Sequence, residues 1–408
     1  MPQVSARAER VPPSPIRKLV PLADRARQAG RRIYHLNIGQ PDIPTPKEFL
    51  EGFRHAPKIL AYSPSRGLDK ALEALIGYYQ GFGIELEGEE LIVTIGGSEA
   101  VTFALLTTMD PGDQVIVPEP FYGPYNGYAE IAGVEIVPLT TKASEGFRLP
   151  PREEIEAKIT TKTKAILITN PGNPTGMVYT KEELELLREI ALKHDLFIIS
   201  DEVYREFVYD DLKHVSILEL PELEEHAILA DSISKRFSAC GARIGALASR
   251  NKDVMAAVNR LAQTRLSPPT AGQLGLIHYL NSPAYPRKTL EMIAEFRRRR
   301  DLLYAELLKI PGISCIKPQG AFYIMAQLPV ADSEAFTRWL LTEFERQGET
   351  VMLAPGAGFY KTRGLGKNEA RIAYVLNGEE LARALWLLRE ALAEFATLEE
   401  REEVISRA

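Results

Sequence analysis

The stretch AILITNPGNPTGMVYTKEELELLREIALKHDLFIISDEVY, residues 165–204, decides the fold. It opens on a short apolar run, Ala165–Thr169, and breaks at the turn Asn170-Pro-Gly-Asn173-Pro174-Thr175-Gly176. An amphipathic stretch, Lys181–His194, follows, with Leu184, Leu187, Ile190 and Ala191 on one face. Thr180 and Glu183 make a capping box that marks where this helix starts. A second apolar run, Phe197–Ser200, then delivers Asp201. Strand, helix and strand in succession predict a mainly parallel sheet covered on both faces.

Outward from this unit the alternation recurs. Leu91–Ile95, Val115–Val117 and Ile228–Ala230 read as strands, and Glu99–Met109 as a helix. Before about residue 45 the chain mixes prolines with one short helical stretch, Pro21–Ala29, and reads as an arm that packs on something else. After about Pro283 the alternation weakens. A polar helix, Tyr285–Leu308, carries the basic run Arg297–Arg300, expected to be a solvated face. A strand-like Ala321–Met325, a helix Ser333–Gln347 and a closing helix Glu379–Phe395 follow. The expected organisation is α/β: a large domain over 48–283, and a linking helix with a smaller α/β domain over 284–408. The arm, 1–47, is expected to join the smaller domain. The acidic run Glu399–Glu403 carries no specific reading.

Composition narrows the classes. The 408 residues are 45% hydrophobic and 25% charged, ordinary for a globular protein. The formal charge of −6 argues against a nucleic-acid partner. No run of 18 apolar residues predicts a membrane span, and the basic, proline-rich N-terminal stretch lacks the apolar core of a secretory signal. Cys240 and Cys315 cannot build a disulfide framework and suit a reducing, cytoplasmic setting. The six histidines are scattered without ligand spacing, so they read as structural and no metal is expected.

Four segments carry chemistry. In Asp231-Ser-Ile-Ser-Lys235-Arg-Phe-Ser-Ala-Cys-Gly-Ala-Arg243-Ile-Gly245, a lysine sits among small residues with an arginine eight positions on. Alone it reads as a surface lysine in a turn. The serines, glycine and arginine suit a phosphate, and a lysine beside one can form a Schiff base with an aldehyde. Pyridoxal phosphate has both groups. In Ser200-Asp201-Glu202-Val203-Tyr204, a strand delivers an aspartate to the edge where α/β folds bind ligands; the plainer reading is a helix cap or a surface turn. Such an aspartate can pair with a protonated pyridine nitrogen, and Tyr204 can donate to a phenolic oxygen. The turn Asn170–Gly176 is fixed by its prolines and glycines, and Asn173 can reach the same oxygen. In Thr94-Ile-Gly96-Gly97-Ser98-Glu99-Ala100, a helix N-terminus offers free N–H groups to a phosphate but matches no nucleotide fingerprint.

In this order, with Asn37-Ile-Gly39-Gln-Pro-Asp42 and Tyr62, the segments resemble the class I aminotransferases of PLP fold type I. Within that family the chain is similar to the bacterial and archaeal aspartate aminotransferases. The resemblance covers nearly the whole chain. It implies that Lys235 holds pyridoxal 5'-phosphate and then acts as general base. Asp201 pairs with the ring nitrogen, and Asn173 and Tyr204 hold the phenolic oxygen. Gly97, Ser98, Ser232 and Arg243 bind the phosphate, and Tyr62 reaches the phosphate of a neighbouring subunit, so the sites of a homodimer are shared. Tyr122 stacks on the cofactor, with Tyr125 competing for that place. Arg371 clamps the substrate α-carboxylate, Gly39 approaches the substrate, and Arg265 recognises an acidic side chain from the partner subunit. Arg265 reads equally as a salt bridge.

The implied reaction is ping-pong transfer of an amino group between an L-amino acid, aspartate or glutamate, and a 2-oxo acid. Some aspartate enzymes of this subgroup carry lysine at Ser98 and tryptophan at Tyr122. These departures leave aromatic or broad specificity open. A PLP-dependent carbon–sulfur lyase shares the same lysine, aspartate and arginine. An effector module of a transcription regulator needs a DNA-binding segment, and the arm is too short and proline-rich for a helix-turn-helix.

Overall fold

The computed structural model describes residues 2–14 and 17–407, with side chains as far as 398. The side chains of Glu399–Glu403 lie outside the described residues.

Strands Thr163–Thr169 and Phe197–Asp201 pair in parallel, with Ala165 opposite Phe197. The helix between them spans Lys181–His194 and buries the four apolar side chains its spacing predicts. Its capping box is formed: the Thr180 hydroxyl accepts from the Glu183 N–H at 3.2 Å, and the Glu183 carboxylate accepts from the Thr180 N–H at 2.8 Å. Around this pair lies a seven-stranded sheet. Its spatial order is Leu91–Thr94, Gly245–Ala248, Ala227–Ser232, Phe197–Asp201, Thr163–Thr169, Gln114–Glu119 and Glu135–Thr140. Gly245–Ala248 runs against both of its neighbours, and the remaining pairs are parallel. Alternate side chains enter two cores, one per face. Ile116, Ile166, Ile198 and Leu229 join one, and Val115, Leu167, Ile199 and Ile228 the other. Burial on both faces is why these strands read as continuous apolar runs.

A third core is assembled from both ends of the chain. Strand Arg32–His35 runs parallel to Glu349–Met352. Tyr34 and Leu36 pack with Phe296, Leu303, Ile324 and Leu388. Strand Tyr323–Gln327 pairs antiparallel with Glu369–Ala373, which brings Met325 opposite Arg371.

Three expectations are corrected. The helix from Ser333 stops at Thr342 rather than Gln347. Phe344 turns into the core, and Gln347 and Gly348 take positive φ, 58° and 75°, to enter the next strand. The strand expected from Ala321 begins at Tyr323, because Ala321 sits at φ 54°. The basic run is a solvated face only at Arg297 and Arg298. Arg299 and Arg300 are 5% and 0% exposed. Arg299 donates to Asp42 at 2.6 Å and to the Val375 carbonyl. Arg300 donates to Asp210 at 2.8 Å and to the Pro318 carbonyl at 3.1 Å. Four consecutive helical residues point all round the helix, and the two that turn inward find the partners a buried charge requires.

Candidate active site

The parallel strands deliver Thr94, Thr169, Asp201 and Ser232 to their carboxyl ends, and each is followed by one of the turns singled out above. Open parallel sheets bind ligands along this edge. Asp201 is 8% exposed, and its carboxylate accepts from the Tyr125 hydroxyl at 2.7 Å and the Val203 N–H at 3.3 Å. Burial pushes its pKa up to about 6, and the Tyr125 and Val203 donors limit the rise. A carboxyl so desolvated favours a cationic partner.

The Lys235 amine donates to the Gly39 carbonyl at 2.7 Å, which brings the lysine turn against the Asn37–Asp42 loop. The contact is reinforced by Thr45, whose hydroxyl donates to the Ser238 carbonyl at 2.5 Å, and by Ser238, which donates back to the Ile43 carbonyl. The turn is stapled from below. Arg236 donates to both oxygens of Asp231 at 2.9 Å, and Tyr79 donates to the same carboxylate at 2.8 Å.

Arg371 is 3% exposed. It donates to Asn173 Oδ1 at 3.0 Å and to the Asn37 carbonyl at 2.6 Å. Its guanidinium lies 4.5 Å from the Tyr323 ring centre and 4.9 Å from that of Phe359. Its buried Nε has no partner. A buried N–H left open on a guanidinium fits an oxyanion that arrives as ligand.

Small donors gather around Arg243, which holds φ 53°. It donates to the Ile95 carbonyl at 3.3 Å and to the Cys240 carbonyl at 3.0 Å, and its Nη1 lies 3.5 Å from the Ser234 hydroxyl. The Ser232 and Ser234 hydroxyls are 2.8 Å apart. A Cβ at Gly96 would collide with the Arg243 guanidinium, so the glycine makes room for it. Helix Gly96–Thr108 begins here, and Ser98 accepts from the Tyr128 hydroxyl at 2.8 Å. Guanidinium, hydroxyls and a helix N-terminus suit a phosphate. With Lys235 for an aldehyde and Asp201 for a ring nitrogen, the donor set fits pyridoxal phosphate.

Two candidates stand apart from this group. Tyr62 is 80% exposed, beside the exposed Ile59 and Leu60. Arg265 bonds Glu99 at 3.1 Å, the Val93 carbonyl at 2.8 Å and the Ser65 carbonyl at 3.1 Å. Tyr122 stands edge-on to Tyr125, with ring centres 5.5 Å apart. The sequence weighed Tyr125 only as a rival to Tyr122 and missed that it is the partner of Asp201. It also missed Tyr323, whose hydroxyl lies 2.8 Å from that of Tyr204. A tyrosine in the apolar run Ala321–Met325 gives no local sign of a polar task.

Fold and site together define an α/β enzyme with a lysine, a buried carboxylate and a buried arginine with an open N–H brought together beside one sheet edge. The pattern of the family described as aminotransferase class I and II matches residues 31–386, and the chain belongs to that family. An aspartate aminotransferase of Bacillus subtilis is 34% identical over 88% of this chain and 92% of its own length. An aromatic-amino-acid aminotransferase of Thermococcus litoralis is 32% identical over 96% of this chain and 98% of its own. The structure of Thermus thermophilus aspartate aminotransferase with maleate superposes with a TM-score of 0.86 at 31% identity, covering 96% of this chain and 100% of that one.

Proposed function

We propose that this chain is a pyridoxal-phosphate-dependent transaminase that exchanges an amino group between an acidic L-amino acid and a 2-oxo acid in two half-reactions. The observation that carries the reading is the convergence on one loop. Lys235 bonds the Gly39 carbonyl, and Arg371, with its open Nε, bonds the Asn37 carbonyl two residues before. A lysine amine and a carboxylate receptor thus face one short segment, as an α-amino acid requires.

Held at Lys235 through its aldehyde carbon, the cofactor would offer that carbon to the substrate nitrogen, which displaces the lysine, and a ring that draws electrons from Cα. Arg371 takes the α-carboxylate by a charge-assisted pair and orients Cα. Asn173, already bonded to Arg371, and Tyr204 hold the phenolic oxygen. Asp201 stays ionised against the ring nitrogen once that cation offsets its desolvation. Lys235, as a free amine, would take the Cα proton as general base and deliver it as general acid to the former aldehyde carbon, on the other side of the substrate nitrogen. Arg243, Ser232, Gly97 and Ser98 hold the phosphate, with Tyr122 against the ring.

The acidic preference rests on the relatives named for aspartate, including an aspartate/prephenate aminotransferase of Thermus thermophilus. The bonds of Arg265 to Glu99 and two carbonyls within its own subunit favour a second reading, an aromatic or broad-specificity enzyme. The exposed Ile59, Leu60 and Tyr62 support a homodimer with shared sites. No described helix is long and apolar enough to cross a membrane, and we place the enzyme in the cytoplasm.

The test is spectroscopic. With pyridoxal phosphate supplied, L-aspartate, L-glutamate, L-phenylalanine and L-alanine are added separately, and the cofactor's absorbance band and the 2-oxo acid formed are followed. Fast conversion by aspartate and glutamate alone supports the acidic reading, and phenylalanine in the lead supports the second. Ammonia released from a single amino acid would mean a lyase, and no cofactor band at all would end the proposal.

A further inference from the structure

Tyr323 belongs to none of the motifs, yet it touches three of the site's principal parts. It lies on strand Tyr323–Gln327; Tyr204 follows strand Phe197–Asp201 of the large sheet and reaches over to pack with it in the core built from both chain ends. The two hydroxyls are 2.8 Å apart, and the rings meet edge to face at 5.6 Å. Both residues are buried, at 2% and 4% exposure. The same ring backs the Arg371 guanidinium at 4.5 Å. Its hydroxyl occupies the place a Cβ would take at Gly39, the residue whose carbonyl receives Lys235.

We propose that Tyr323 is a positioning residue that joins the two halves of the site: its hydroxyl orients the proton of Tyr204, and its ring fixes the plane of Arg371. This rests on the reading of Tyr204 as holder of the cofactor's phenolic oxygen and of Arg371 as carboxylate receptor.

The physical argument concerns where one proton goes. Burial holds the Tyr204 hydroxyl well above its ordinary pKa, so it stays a neutral donor. A hydroxyl has a single proton to give. When Tyr323 donates to the Tyr204 oxygen, the Tyr204 proton is released toward the ligand, and the chain of two bonds makes it a better donor. Without Tyr323 the Tyr204 hydroxyl is free to rotate and its donation weakens. The ring contributes separately, since an arginine over an aromatic face is held by the ring quadrupole. Phe322, the residue before it, packs on Phe207, on Phe296 and on the Tyr204 ring at 5.2 Å, but it has no hydroxyl to offer. The hydroxyl is therefore what distinguishes Tyr323 from a packing residue.

The experiment compares wild type, Tyr323→Phe and Tyr323→Leu as holoenzymes. It reads the pH midpoint of the cofactor's absorbance without substrate, the dissociation constant of pyridoxal phosphate from the apoenzyme, and KM and kcat separately. Weaker donation to the phenolic oxygen favours its protonated form. Tyr323→Phe should therefore raise the midpoint by about 0.5–1 pH unit and lower kcat roughly 3–10-fold, the scale of one hydrogen bond. KM for the amino acid should stay within about twofold, because the ring remains. Tyr323→Leu should add a rise in KM of roughly tenfold. A Tyr323→Phe enzyme whose midpoint and kcat superimpose on wild type overturns the inference, whether or not Tyr323→Leu folds. A wild type that binds no cofactor overturns the transaminase reading and this inference with it, a different and recognisable result.

Discussion

Removing the Arg236 cation should unfasten the lysine turn. Asp231 is 0% exposed and Arg236 2%, and two bonds of 2.9 Å join them across the residues that carry Ser232, Ser234 and Lys235. Burial alone would push the Asp231 carboxyl up, but Arg236 and Arg205 pull it below the usual range, so it is charged in the folded protein. Arg236→Met leaves that charge with the Tyr79 hydroxyl at 2.8 Å, the Ser232 N–H at 2.7 Å and the Coulomb field of Arg205. Breaking a buried pair on one side costs about 3–5 kcal/mol, and the surviving partners place this case near the lower end. Adding Asp231→Asn removes the stranded charge. The double variant should then lose only about 1–2 kcal/mol, chiefly from the packing of Arg236 over the Tyr78 ring at 4.4 Å. The coupling should exceed about 2 kcal/mol in a double-mutant cycle, because Asp231→Asn alone strands the Arg236 cation in turn. Urea unfolding of the apoprotein, followed by far-ultraviolet circular dichroism, measures it. An Arg236→Met variant that loses under about 1 kcal/mol, or two losses that simply add, would refute the view that this pair is mutually dependent.

Three further outcomes are expected. Gly39→Ala puts a Cβ where the Tyr323 hydroxyl lies. It should fold, with unchanged circular dichroism, while kcat/KM drops roughly 10–100-fold, the kinetic equivalent of overpacking by about 1–3 kcal/mol. Arg371→Lys should raise the amino-acid KM by on the order of 30-fold, since bidentate recognition is lost. The cofactor spectrum without substrate should not change, and a spectrum that shifted would place Arg371 elsewhere. His214 is buried behind the Asn170 turn, its Nε2 3.2 Å from the Asn170 carbonyl. Desolvation first, and then the Arg205 charge, push its pKa down from 6.5 to about 3. Below 6.5 the unfolded chain binds a proton that the folded chain refuses, so this group's contribution falls as pH drops from 6.5 toward 3. Between pH 7 and 5 wild type should lose about 2 kcal/mol more than His214→Gln, measured as the difference between their urea midpoints at each pH.

Features written in short-range order are legible from the residues alone. Helix Lys181–His194 is legible because its capping box and apolar stripe lie within one local stretch. The strands are legible because burial on both faces makes each an unbroken apolar run. The turns bearing Lys235, Asp201 and Asn173 follow directly from those strands, so they were visible together with them. What the sequence does not carry is which distant groups meet. Arg371 and Asn173 are 198 positions apart, and Tyr204 and Tyr323 are 119. Only the sheet order and the docking of the core built from both chain ends against the large sheet close those distances. The same limit explains the basic run, because whether an arginine faces water or Asp210 depends on an element 90 residues away. It also explains Arg265, which tertiary structure ties to Glu99 across 166 residues. Local patterns fix backbone conformation through periodicity and capping, which act within a turn or two of chain. The partner of a buried charge is chosen by desolvation, which acts through space and only once the fold has formed.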